Sequence, residues 1–224
     1  MINKKTARIV GMLFLAVNIF FLAGVISIEN ILGSPDYLDI ISVNRIQIIS
    51  GVLLEIANGV TYVAIAVILY PILKQRFQSL ALGFVAFRLI EFVMQILADI
   101  SPLSLLTLGE EFIKVGASDL SSFHTMGALL LADRYWAFQM VSITFGLGAL
   151  MLYYMFYQLK LIPRFISIWG FIGATVVLVN VVLDMFGVPP GNLGIIMLLN
   201  ELFLGVWLIV KGFNPVVIQS ESTK

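Results

Sequence analysis

Six stretches of this chain run almost entirely on apolar side chains, at approximately 8–28, 46–72, 78–100, 132–157, 165–187 and 193–211. A helix needs about 20 such residues to cross the roughly 30 Å of hydrocarbon in a bilayer. The pattern predicts an all-α, polytopic transmembrane helix bundle of six spans. Composition agrees: 12% of residues are charged and 60% hydrophobic, whereas a soluble domain carries about 25% charged residues. Such a chain cannot cover a water-facing surface. Residues 1–214 read as a single bundle domain and 215–224 as a polar C-terminal tail.

Basic residues set the orientation. Lys4, Lys5 and Arg8 precede the first span, Lys74 and Arg76 separate the second from the third, Lys160 and Arg164 the fourth from the fifth, and Lys211 closes the sixth. All four clusters fall on one side, which predicts that both termini are cytoplasmic, in a multi-pass cell-membrane protein. The other side is acidic, with Glu29, Asp36, Asp39, Glu110, Glu111 and Asp119. The opening resembles a signal peptide, but its apolar run is long and no small-residue cleavage site follows, so it reads as an uncleaved span. Trp169, Trp207, Tyr153, Tyr154 and Tyr157 fit an inner aromatic belt and Trp136 an outer one.

Two outer loops are long. Residues 29–45 hold a Gly-Ser-Pro-Asp turn. In 101–131, a Ser-Pro breaker, a short helix ending at Gly116 and a second helix capped by Asp119 or Ser121 are expected. This segment reads as a lid over the outer face.

Polar residues inside the spans recur three and four apart, the spacing of one helix face. Arg88, Glu91, Gln95 and Asp99 form such a stripe; so do Gly51, Glu55, Asn58 and Tyr62. Gln139, Ser142 and Gly146 follow in span four, Gly173, Asn180 and Asp184 in span five, Asn200 and Glu201 in span six, and Asn18 in span one. Facing lipid would be costly, so the stripes face each other. The prediction is a midplane polar pocket that widens outward, with Arg88, Glu91, Glu55, Glu201, Asn58, Gln95, Asn180 and Asn200 as candidate ligand-binding residues. Asp99 and Asp184 are expected nearer the interface. Three carboxylates, Glu55, Glu91 and Glu201, then share one base, Arg88. Buried carboxylates without a cation take a proton or find water or a cation. At least one of Glu55 and Glu201 is therefore expected to carry a proton, unless the pocket is wet or binds a cation. The competing reading treats the same residues as polar glue between helices.

Other chemistry is thin. The chain has no cysteine and one histidine, His124, so thiol catalysis, iron–sulfur clusters and multi-histidine metal sites are excluded. No metal and no cofactor are predicted. His124 reads as an interfacial polar residue. "DRYW" (133–136) opens a span on the outer side, so Asp133, Arg134 and Trp136 read as interfacial anchors. Net charge is zero, with 13 bases and 13 acids, and no nucleic-acid partner is implied.

The opening "KTARIVGMLFLA" (5–16), "RLIE" in span three and the closing "ELFLGVWLIVKGFN" (201–214) resemble a family of small bacterial six-helix membrane proteins, known as a domain of unknown function. The resemblance implies six helices in a bacterial inner membrane. It brings no established activity, so no residue role carries over.

Three functional readings follow. The leading one is an integral membrane protein whose polar pocket binds a small or amphiphilic ligand, as a proton-coupled transporter would. The second is an intramembrane enzyme that modifies a lipid, using carboxylates for acid–base work. The third is an accessory or scaffold protein whose polar network is purely structural. Membrane lipids are partners in all three; the sequence is silent on oligomeric state.

Overall fold

The computed structural model describes residues 4–115, 120–189, 191 and 194–214. The predicted tail, Gly116 and Asp119 lie outside the described residues. The described residues form helices and their connections: α1 (Lys4–Leu32), α2 (Tyr37–Ile40), α3 (Arg45–Val115), α4 (Leu120–Leu159), α5 (Arg164–Met185) and α6 (Gly194–Val210).

Four of these, α1, α3, α4 and α5, are long and apolar enough to cross a membrane; α6, at 17 residues, is a shorter apolar helix. Helix α3 is the unusual one. Its 71 residues would reach more than about 100 Å if straight. It breaks at Phe77, whose backbone leaves the helical region (φ −130°, ψ 59°). The chain reverses there, so that arm 45–76 packs against arm 78–115: Gly59 faces the Phe92 ring and Glu55 meets Gln95.

Two prolines sit inside these arms without ending them, Pro71 and Pro102. Each removes one backbone hydrogen bond, a loss that packed membrane helices tolerate. The Ser-Pro pair at 101–102 therefore does not act as the expected breaker. Residues 101–115 continue the second arm, and 120–131 run without interruption into the rest of α4. These extensions form a layer with α2 at the end of the bundle away from Phe77. Leu38, Ile41, Leu105, Leu106 and Phe112 are buried together there, the Tyr37 ring lies against Gly127, and Arg45 pairs with Glu110. The segment expected as a lid is thus two packed helical extensions.

The larger core fills the other half of the bundle, with Phe14, Leu69, Phe84, Phe156, Ile166 and Leu204 among its residues. Helix α1 crosses α6 closely. A Cβ on Gly11 would lie 2.6 Å from the Gly205 carbonyl oxygen, a backbone approach that small residues permit between membrane helices. One end of the bundle gathers the start of α1, the Phe77 reversal, the 160–163 connection and the end of α6. Asn214 donates to the carbonyls of Leu161 (2.8 Å) and Lys160 (2.8 Å), Phe77 meets Tyr154, and Gly212 lies beside Ala7. The basic clusters read from the sequence share that end. Large apolar side chains such as Ile19, Leu53, Leu82, Leu129 and Ile172 are exposed around the outside, as a lipid-facing surface requires. Tyr153 is an exception to the expected aromatic belt, because it is buried in the core.

Candidate functional site

The polar stripes do face inward, but they build two charge centres rather than one. The inner centre gathers around Arg88, on the second arm of α3. Arg88 is 1% exposed. Its Nη1 donates to Glu91 Oε2 at 2.7 Å, one turn along the same helix. Its guanidinium lies over the Tyr62 ring (4.3 Å), the Phe145 ring (4.8 Å) and the Phe84 ring (5.5 Å). Aromatic faces attract a cation, more strongly where water is excluded. Tyr62, on the first arm, donates its hydroxyl proton to Glu201 Oε2 of α6 at 2.8 Å. Two atoms of this centre, Arg88 Nε and Glu201 Oε1, are buried without a hydrogen-bond partner.

The outer centre is built on Arg134 of α4, and this corrects the sequence reading. Arg134 is not an interfacial anchor: it is 3% exposed. It donates from Nη2 to Glu55 Oε1 (2.9 Å), from Nη1 to Glu55 Oε2 (3.4 Å) and from Nε to Glu29 Oε1 (3.0 Å). Its Nη1 also lies 3.7 Å from Asp99 Oδ1. Gln95 Nε2 donates to Glu55 (2.9 Å) and Asp99 (3.2 Å), which fixes both carboxylates. Asp99, expected near the interface, is 2% exposed. The physical reason is helix length. Because α4 begins at Leu120, Arg134 lies about 21 Å along it, well inside the layer that the two extensions add.

Three glutamates therefore do not share one arginine. Glu55 belongs to Arg134, Glu91 to Arg88, and Glu201 accepts from the Tyr62 hydroxyl. Tyr62 lies seven residues beyond Glu55 on one arm, so the centres are about 10 Å apart along the axis.

The asparagines have other duties. Asn58 donates to the Val17 carbonyl (2.8 Å) and ties α3 to α1; Asn200 donates to the Ile166 carbonyl (3.1 Å) and ties α6 to α5. Asn180 is partly exposed and accepts from the Gly191 amide (3.1 Å), so the structure does not bring it to either centre. Asp184 accepts from Tyr135 (2.7 Å) and Gln139 (2.7 Å), joining α4 to α5. Sequence reasoning missed Arg134, Glu29 and the aromatic cage. The uninterrupted apolar run 126–132 before Arg134 was the available signal.

Arg88, Glu91 and Glu201 are each at most 5% exposed, so the centres sit in packed protein. A cleft of about 260 Å³ lies elsewhere, between the last turns of α4 and the first turns of α5. Among the described residues, no group of three or more His, Cys, Asp or Glu is arranged to hold a metal ion.

The family model described as Domain of unknown function (DUF4386) matches residues 9–212. The chain belongs to this family. Among curated proteins and solved structures, none matches. The match takes in both charge centres and at least part of every helix from α1 to α6. Its description assigns no chemistry to any residue.

Proposed function

We propose that this DUF4386 protein is a six-span integral membrane protein with both termini cytoplasmic, and that it works as a proton-coupled transporter of a small or amphiphilic ligand. In this reading the two arms of α3 are separate spans, and α6 crosses as well. The inner centre is the binding site: Arg88, Glu91 and Tyr62 hold the ligand, and Glu201 exchanges the proton.

One observation carries the reading. Glu201 is a buried carboxyl with no cation of its own, one hydroxyl partner and one unpartnered oxygen. A carboxylate in that position is expensive unless it is neutral or newly paired. The charge a ligand brings beside Arg88 and the proton on Glu201 are therefore coupled: an anionic ligand holds the proton on, and a cationic one releases it. The outer centre, between Glu29 at the rim and Gln95 above Glu91, supplies further carboxylates on the route to the outside.

The test is infrared difference spectroscopy of the reconstituted protein across pH. A carboxyl band is expected to appear and vanish with pH in the wild type and to be missing in Glu201→Gln. An unchanged carboxyl spectrum in that variant refutes Glu201 as the exchanging group. Proteoliposomes given a pH gradient and pools of small amphiphiles should then show a ligand-dependent current that Glu201→Gln abolishes.

A second reading has its own support. Asn58, Asn200 and Arg134 all bond between helices, which suits a purely structural network. In that case Glu201→Gln is silent in every functional readout and changes stability alone.

A further inference from the structure

The cleft between α4 and α5 is lined by none of the charged residues of the two centres, and four of its properties belong together. It opens on the flank of the bundle, where lining residues Tyr154, Ile168 and Ile172 are exposed. It is small: a drug-sized ligand pocket starts at about 300 Å³, so about 260 Å³ takes a segment of a chain rather than a whole amphiphile. Two of its lining residues, Tyr153 and Ser167, carry hydroxyls that are buried and have no hydrogen-bond partner. Buried hydroxyls without partners are costly, and a serine near a helix start ordinarily finds a local carbonyl. Finally, the rim is basic. Arg164 lies over the Tyr157 ring at 5.1 Å, and among the described residues no carboxylate pairs with it. Lys160 is in the adjoining connection, and contact of Phe77 with Tyr154 brings the Lys74–Arg76 end of the first α3 arm alongside.

We infer that this cleft is a binding site for an anionic diacyl phospholipid. The arrangement follows the order of groups in such a lipid. The phosphate meets Arg164 and its basic neighbours at the end of the bundle. About one turn further in, the ester carbonyls accept from Ser167 and Tyr153, both of which can donate. Beyond them, the first part of one acyl chain lies against Ile168 and Ile172. The Tyr153 ring packs on Gly170, where even a Cβ would come within 2.2 Å of it, so the position of the ring is fixed. This inference does not depend on proton coupling at Glu201.

The experiment uses the full chain in nanodiscs of phosphatidylcholine doped with a photoactivatable phosphatidylglycerol, with crosslinks mapped by peptide mass spectrometry. Crosslinks are expected to concentrate in 153–158 and 167–172 and to be displaced by unlabelled phosphatidylglycerol, not by phosphatidylcholine. Ile168→Trp, at a half-exposed position, should empty the cleft of label and leave labelling elsewhere unchanged, with the unfolding midpoint as the check on its fold. Arg164→Gln should reduce the preference for the anionic lipid about fivefold, the effect of one basic residue at an anionic headgroup, while chain labelling persists. Tyr153→Phe with Ser167→Ala should weaken labelling of the cleft by the phosphatidylglycerol probe. Labelling spread evenly over the lipid-facing surface, equal displacement by phosphatidylcholine, or a full signal in Ile168→Trp would each overturn the inference.

Discussion

Arg134 offers the sharpest test of how the bundle is held. Replacing it by methionine keeps most of the side-chain volume and removes the guanidinium. Glu55 and Asp99, both 2% exposed, would then be left without a cation, with Gln95 as their only shared donor. Removing one partner of a buried ion pair costs about 3–5 kcal/mol, because the other charge stays buried and unpaired. The exposed Arg45–Glu110 pair, with side chains 56% and 38% exposed, is the internal control; surface pairs are worth about 0–1 kcal/mol. Reversible unfolding in mixed micelles measures both. Arg134→Met should lose several times more stability than Arg45→Gln. Adding Glu55→Gln to Arg134→Met should recover part of the loss, because the stranded charge is gone, and the double-mutant cycle should report a coupling within roughly 0.5–3 kcal/mol. If Arg134→Met costs no more than Arg45→Gln, or if the two changes are simply additive, the outer centre is not the paired network described above.

Three further outcomes are expected. Tyr62→Phe keeps the ring under Arg88 but takes the donor from Glu201; it should cost about 1–3 kcal/mol and shift the Glu201 carboxyl band in the infrared, and an unmoved band would separate Tyr62 from Glu201. Gly11→Ala pushes a Cβ to 2.6 Å from the Gly205 carbonyl oxygen; overpacking of this kind costs about 1–3 kcal/mol, visible as a lower unfolding midpoint, whereas an unchanged midpoint would mean that α1 and α6 do not cross there. The chain has no cysteine, so single cysteines report topology directly: Lys74→Cys and Lys160→Cys should react with an impermeant thiol reagent only in inverted vesicles, and Glu111→Cys only from outside, the reverse pattern disproving the orientation proposed.

Much of the candidate site was legible because helix periodicity is short-range. Arg88 and Glu91 are three residues apart and meet within one helix, whatever surrounds them. Glu55, Gln95 and Asp99 share faces that must turn from lipid, and they do meet. Their partners could not be read in the same way. Arg134 was assigned to an interface by counting from an assumed span start at 132, and the true helix begins twelve residues earlier. Pro102 looked like a terminus because proline removes a backbone hydrogen bond; within a packed arm the rest of the helix carries on past it. Tyr153 looked like belt aromatic and became core because Gly170 leaves room for its ring.

The sequence alone therefore determined the all-helical architecture, the apolar exterior and the inward direction of the polar stripes that carry Glu55 and Arg88. Those follow from composition and a 3.6-residue period, which act along one helix at a time. Only the tertiary structure decided which charge pairs with which. That depends on how far each helix extends and where α3 reverses, and both are settled by packing between helices. The division of the carboxylates between Arg88 and Arg134, with Glu201 left to a tyrosine hydroxyl, is a property of that packing.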